Sequence, residues 1–182
     1  MISLPHNAGH AFNLKEKYCG WTASALVGLQ YALFSNTDYF VYIEQDALLY
    51  GEGIIEQCIS QMTTPYMFGH PEQTPHPTQQ SFFIIRHDGF ERFIRRYLSI
   101  SQADNILSPE IKFSVFAGKF PTRLPRKILK KLAMTFRNFD YLPVGYGRTR
   151  PINHTDNHYY FQHGKAEELA IWQQKIARLK NT

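Results

Sequence analysis

The chain has 182 residues, 43% hydrophobic and 15% aromatic, with a formal net charge of +5; this excludes a disordered tail and suits one globular domain able to bury its own core. Its two cysteines, Cys19 and Cys58, lack a C-x-x-C spacing and are too few for a disulfide framework, and no apolar run reaches the ~18–20 residues of a membrane span. The positive balance favours an anionic partner, whether nucleotide phosphate, acidic lipid or nucleic acid.

In chain order, Asn7-Ala8-Gly9-His10 reads as a turn. From Thr22 the spacing predicts a helix, with Leu26, Leu29 and Leu33 on one stripe and residues 35–38 ending it. Tyr39-Phe40-Val41-Tyr42-Ile43 is a β-branched and aromatic run, expected to form a central buried strand. It ends in Glu44-Gln45-Asp46, before a turn at Gly51 and Gly53 and a short helix over residues 54–62. Residues 66–68 read as a strand, 70–80 as a proline-containing loop, 81–86 as a strand and 89–97 as a helix with a basic face. Ser108-Pro109-Glu110 combines a capping hydroxyl, Pro at the first helical position and an acid near the dipole's positive end. Residues 123–137 are basic and partly helical, and 141–151 loop-like. The last helix, over 165–179, puts Leu169, Trp172, Ile176 and Leu179 on one face and is expected to pack through Trp172. The succession of helices and buried strands is an α/β signature, in a single domain over residues 1–182.

Glu44 and Asp46 carry the chemistry. An apolar strand running into Glu-x-Asp sets two carboxylates at the carboxyl edge of a sheet, where open α/β sheets bind ligands. Alternation along an extended chain points both the same way, toward one ion, and hard oxygen ligands suit Mg²⁺ or Mn²⁺. The plainer alternative is two solvated acids after a strand. Arg148 and Arg150, beside Gly145 and Gly147, suit phosphate oxygens. His154, His158 and His163 lack the cysteines and spacing of structural zinc.

Residues 7–53 resemble glycosyltransferases of the GT-A fold. The resemblance rests on the turn His6-Asn7-Ala8-Gly9-His10, the helix from Thr22, and the strand ending in Glu44-Gln45-Asp46, with Glu in place of the first Asp of the commoner D-x-D. Ser81-Phe82-Phe83-Ile84-Ile85-Arg86 resembles the family's acceptor-side strand. The resemblance implies a Rossmann-like α/β/α sandwich around a mixed, mostly parallel sheet, short of the family's first nucleotide-binding strand and helix. It also implies Asp46, with Glu44 and His163, as ligands of Mn²⁺ or Mg²⁺, and Asn7, Gly9 and Glu44 in donor binding, with the loop arginines Arg148 and Arg150 expected to add grip on the donor's phosphates. Glu110 fits either an acceptor-activating base or a helix-dipole acid.

The implied reaction moves a sugar from a UDP- or GDP-sugar to a glycan or lipid-linked acceptor. The competing class is a non-catalytic or degenerate transferase-like domain that binds anionic ligands. Nucleic acid is not the expected partner, because no RNP-like, K-homology or zinc-finger motif accompanies the scattered bases. With no basic-then-apolar export pattern, the expected location is cytoplasmic. The cluster Arg123, Arg126, Lys127, Lys130 and Lys131 suits either a solvated helix face or peripheral contact with an anionic membrane.

Overall fold

The computed structural model of the chain describes residues 16–71, 76–117, 123–135 and 138–180. The turn at Asn7 and Gly9 lies outside the described residues. The elements in order are α1 (Gly20–Phe34), β1 (Tyr39–Ile43), β2 (Ala47–Tyr50), α2 (Ile54–Ser60), β3 (Tyr66–Gly69), β4 (Gln79–Arg86), α3 (His87–Ser99), α4 (Pro109–Ala117), α5 (Arg126–Thr135), β5 (Asp140–Tyr141), β6 (Tyr146–Gly147), β7 (Tyr159–Gln162) and α6 (Ala166–Leu179). The strands form a four-stranded sheet ordered β1-β4-β3-β5 and a three-stranded sheet ordered β2-β7-β6.

The α/β class stands, but β4 holds the centre. Its Phe82, Phe83, Ile84 and Ile85 are all fully buried. Alternation sends Phe83 and Ile85 into a cluster with Leu29 of α1, Phe90 and Phe93 of α3 and Phe113 of α4. Phe82 and Ile84 point the other way, toward Ile54 and Cys58 of α2 and Tyr160 of β7. A strand covered on both faces needs an unbroken apolar run, and this one has it. Helices α1, α3 and α4 therefore layer one side of the sheet, while α2 and the small sheet layer the other.

Three sequence expectations need correction. Strand β1 pairs only with β4 among the described residues, and it is half-buried, with Ile43 44% exposed. It is an edge strand, since β-branched and aromatic content does not tell an edge from a centre. The sheets are mixed rather than mostly parallel: β1/β4, β3/β4 and β2/β7 are antiparallel, β3/β5 and β6/β7 parallel. The connection between β3 and β4 covers only residues 70–78, too short for the dozen or more residues of a parallel crossover. Finally, α6 contributes nothing to the three apolar clusters among the described residues, and Trp172 is only half-buried. Polar ties hold α6 instead: Arg150 Nε lies 2.6 Å from Glu168 Oε1, and Lys175 donates to the His154 carbonyl and covers the Tyr50 ring at 4.3 Å.

Helix α4 begins at Pro109 as predicted, yet the Ser108 hydroxyl is buried and does not cap it; the Ser108 carbonyl accepts from Ile111 N and Lys112 N. The helix is anchored from within. Lys112 and Asp104 form a fully buried ion pair at 2.6 Å, and Lys112 Nζ also donates to Gln102 O at 2.7 Å. Asp104 accepts from Cys19 N at 2.8 Å, tying α4 to the start of α1. A third cluster, including Leu107, Ile111, Leu129 and Ala133, packs α5 on α4. No helix of the described residues is long and apolar enough to cross a membrane.

Candidate functional site

Strand β1 does not run on in extended form through the acids. Glu44 N donates to Ser81 O at 2.8 Å, keeping the edge of β4, and Ala47 N then donates back to Glu44 O at 3.0 Å, closing a turn. That turn sends β2 into the small sheet beside β7. The two carboxylates converge because the chain turns around them, not through strand alternation. Gln162, at the end of β7 and 3% exposed, donates its amide to Glu44 Oε2 and to Asp46 Oδ1, the latter at 3.0 Å.

Gln162 Oε1 in turn accepts from Arg148 Nε at 3.1 Å, which fixes the amide with nitrogen toward the acids and oxygen toward the guanidinium. Arg148 follows Gly147, whose φ of 54° lies in the left-handed region; a Cβ there would meet Gln79 Oε1 at 2.0 Å, so only glycine fits. Gln79 Oε1 accepts the Arg148 backbone N–H at 3.2 Å.

His163 Nε2 stands 3.3 Å from Asp46 Oδ2 and 3.3 Å from Arg148 Nη2. This nitrogen can donate to the carboxylate or accept from the guanidinium, not both at once. His163 itself has φ 55°, a conformation that non-glycine residues hold at some cost and that recurs at functional sites.

Glu44, Glu110, Arg148 and Gln162 line one open polar cleft with His76, Thr78, Gln79, Gln80 and Ser81. Glu110 enters from the first turn of α4, with Gln80 Nε2 3.5 Å from its Oε1. Burial pushes the Glu44 carboxyl up to about 7, and the Asp46 charge adds to this; Arg148 and the Gln162 hydrogen bond oppose it, while Glu110 raises it further. His76 Nδ1 and Gln80 Oε1 are buried with no protein partner among the described residues. Buried polar atoms ordinarily find partners, so this wall has hydrogen-bonding capacity to offer a polar ligand.

Four of the residues picked out from the sequence, Glu44, Asp46, Arg148 and His163, thus form one connected group, and Glu110 faces the same cleft. Arg150 stands apart: its guanidinium is given over to Glu168 and to the carbonyls of Gly147, Thr149, Gln162 and His163, and it is not among the groups lining the cleft. Sequence reasoning missed Gln162, Gln79 and Gln80. An amide carries no titrating or motif signature, and only the adjacency of Gln162 to His163 hinted at its place.

Two carboxylates and an imidazole make an O,O,N donor set that suits Mn²⁺ better than Mg²⁺, which prefers oxygen throughout. No three His, Cys, Asp or Glu side chains among the described residues already stand as a preformed ion site. The three groups are linked, Glu44 to Asp46 through Gln162 and Asp46 to His163 directly. Comparison of the chain with family models, with curated proteins and with solved structures finds no match.

Proposed function

We propose that the chain is a metal-dependent glycosyltransferase of GT-A type, moving a sugar from a nucleotide-diphosphate donor to a glycan or lipid-linked acceptor. The observation that carries this reading is that Glu44, Glu110 and Arg148, from three separate segments, line one polar cleft, with Asp46 and His163 joined to that group through Gln162 and Arg148. Clustered carboxylates beside a guanidinium are poorly matched to each other, as the raised Glu44 carboxyl records, and well matched to a cation bridging them to a diphosphate. Asp46, Glu44 and His163 would hold the ion, which when bound neutralises charge on the leaving diphosphate. Arg148, half committed to Gln162, keeps its Nη2 edge toward His163 and the cleft for phosphate oxygens. Glu110 takes the acceptor's hydroxyl proton, its carboxylate lying among amides and hydroxyls that suit a polyol.

One experiment tests the assignment. Mn²⁺ with UDP or GDP should raise the melting temperature by several degrees at saturation, since ligand at ~100 times its Kd adds about 2.7 kcal/mol. Asp46→Asn should abolish that rise while keeping the fold. Glu110→Gln should keep it and cut transfer by ~10²–10⁴-fold. The second reading, a non-catalytic binder of anionic ligands, draws on the Gln162 amide already serving both acids. It predicts a nucleotide response that is the same with and without metal, and such a result would sink the transferase assignment.

A further inference from the structure

The charge of this chain is segregated. Residues 111–139 hold eight of its 20 Lys and Arg and none of its 15 Asp and Glu, so the remainder, with 12 bases against 15 acids, is acidic. The positive excess is therefore carried by the segment spanning α4 and α5, although one of its eight bases, Lys112, is buried against Asp104.

Helix α5 displays that excess outward. Leu129 and Ala133 face the core and are fully buried, while Lys127, Lys130 and Lys131, spaced i, i+3 and i+4, share an exposed face with Arg123 just upstream. Like charges at this spacing repel and weaken a helix by a few tenths of a kcal/mol per pair. By contrast, Arg86 has Asp88 at 2.8 Å and Arg95 has Glu91 at 3.7 Å. These four have no ion-pair partner among the described residues.

Beside the lysines lies Ile128, 46% exposed. Leu98 and Ile106, 43% and 48% exposed, sit on the two segments whose Ile100 and Leu107 join Leu129 in the third apolar cluster. A purely ionic partner gains nothing from exposed aliphatic side chains. A bilayer surface uses both, with headgroups meeting the lysines and the acyl boundary accepting the apolar groups.

We infer that α5 is a docking surface for an anionic lipid membrane, laid in the interface with Lys127, Lys130 and Lys131 on the headgroups and Ile128 below them. This stands on charge and exposure alone and does not rest on the transferase reading. It is tested without metal or nucleotide, by sedimenting the full chain with vesicles. The chain should bind vesicles of about 30% phosphatidylserine, leave them as salt rises from about 50 to about 500 mM, and ignore pure phosphatidylcholine. Lys127→Gln/Lys130→Gln/Lys131→Gln should lower partitioning on the order of a hundredfold, about fivefold per lysine near an anionic surface. Ile128→Ser should lower it further at fixed salt. All four positions are exposed, so the melting temperature should hold; if the triple variant does not fold, the single lysine variants carry the fivefold test. Binding to anionic vesicles that is absent, or unchanged in the lysine variants, overturns the inference. So does tighter, Ile128-independent binding to a short nucleic-acid duplex, which would make the partner a polyanion in solution.

Discussion

Glu44 is the residue at which the fold alters chemistry most directly. Its carboxyl rises from 4.5 to about 7, through burial first and the Asp46 charge second. The folded chain then holds a proton that the unfolded chain has lost between about pH 4.5 and about pH 7. Stability of the metal-free protein should therefore fall as pH rises across that window, opposite to the usual carboxylate. Glu44→Gln removes the titration, so its melting temperature should overtake that of the native chain between pH 5 and pH 8. Parallel melting curves for the two proteins over that range would refute the assignment of the shift to Glu44. At the same scale, candidates with chemical character were visible in the sequence, since Glu44, Asp46, Glu110 and His163 each follow a strand end or helix start. Gln162 was not, because its importance lies in bridging two acids that are distant in the chain.

Among elements, α4 matters most for the cleft, because its first turn carries Glu110. The helix is held by the Asp104–Lys112 pair, both side chains wholly buried. Burial lowers the Lys112 pKa, and Asp104 counters by hydrogen bond and charge. Lys112→Met should cost about 3–5 kcal/mol, because it strands a buried carboxylate rather than because the pair itself is worth that much. Lys112→Met with Asp104→Leu should recover part of the loss but not all, since Cys19 N would lose its acceptor. Denaturant titration of the three proteins measures this, and a double variant less stable than the single would contradict it. Helix α4 was legible from Ser108-Pro109-Glu110, but the buried clamp was not: nothing in the local sequence marks Asp104 and Lys112 as partners, and only the tertiary structure closes over them.

At the scale of the whole molecule, the cleft sits where the two sheets meet. Phe82 of β4 packs edge-on against Tyr160 of β7, ring centres 5.4 Å apart, so the acid-bearing turn and the Gln162–His163 end are held together through this contact. Phe82→Ala and Phe93→Ala should each cost about 3–5 kcal/mol as large-to-small core changes. Phe93 belongs to the cluster on the helical side, so only Phe82→Ala should also weaken the Mn²⁺–nucleotide response of the folded protein. Equal losses in both variants, measured by ligand titration at a temperature where each is folded, would count against the two-sheet origin of the site. The amino-acid sequence by itself determined the α/β class, nearly every helix, the apolar run of β4 and the placing of the acids after β1. Each depends on contiguous residues: side-chain periodicity, β-branching, and the conformational limits of Gly and Pro. Only the tertiary structure decided that β4 rather than β1 is central, that the sheets are mixed, and that Arg148 rather than Arg150 faces the acids. Strand order and side-chain convergence depend on pairings between distant segments, whose selection rests on burying both faces of one strand and satisfying polar groups across the chain.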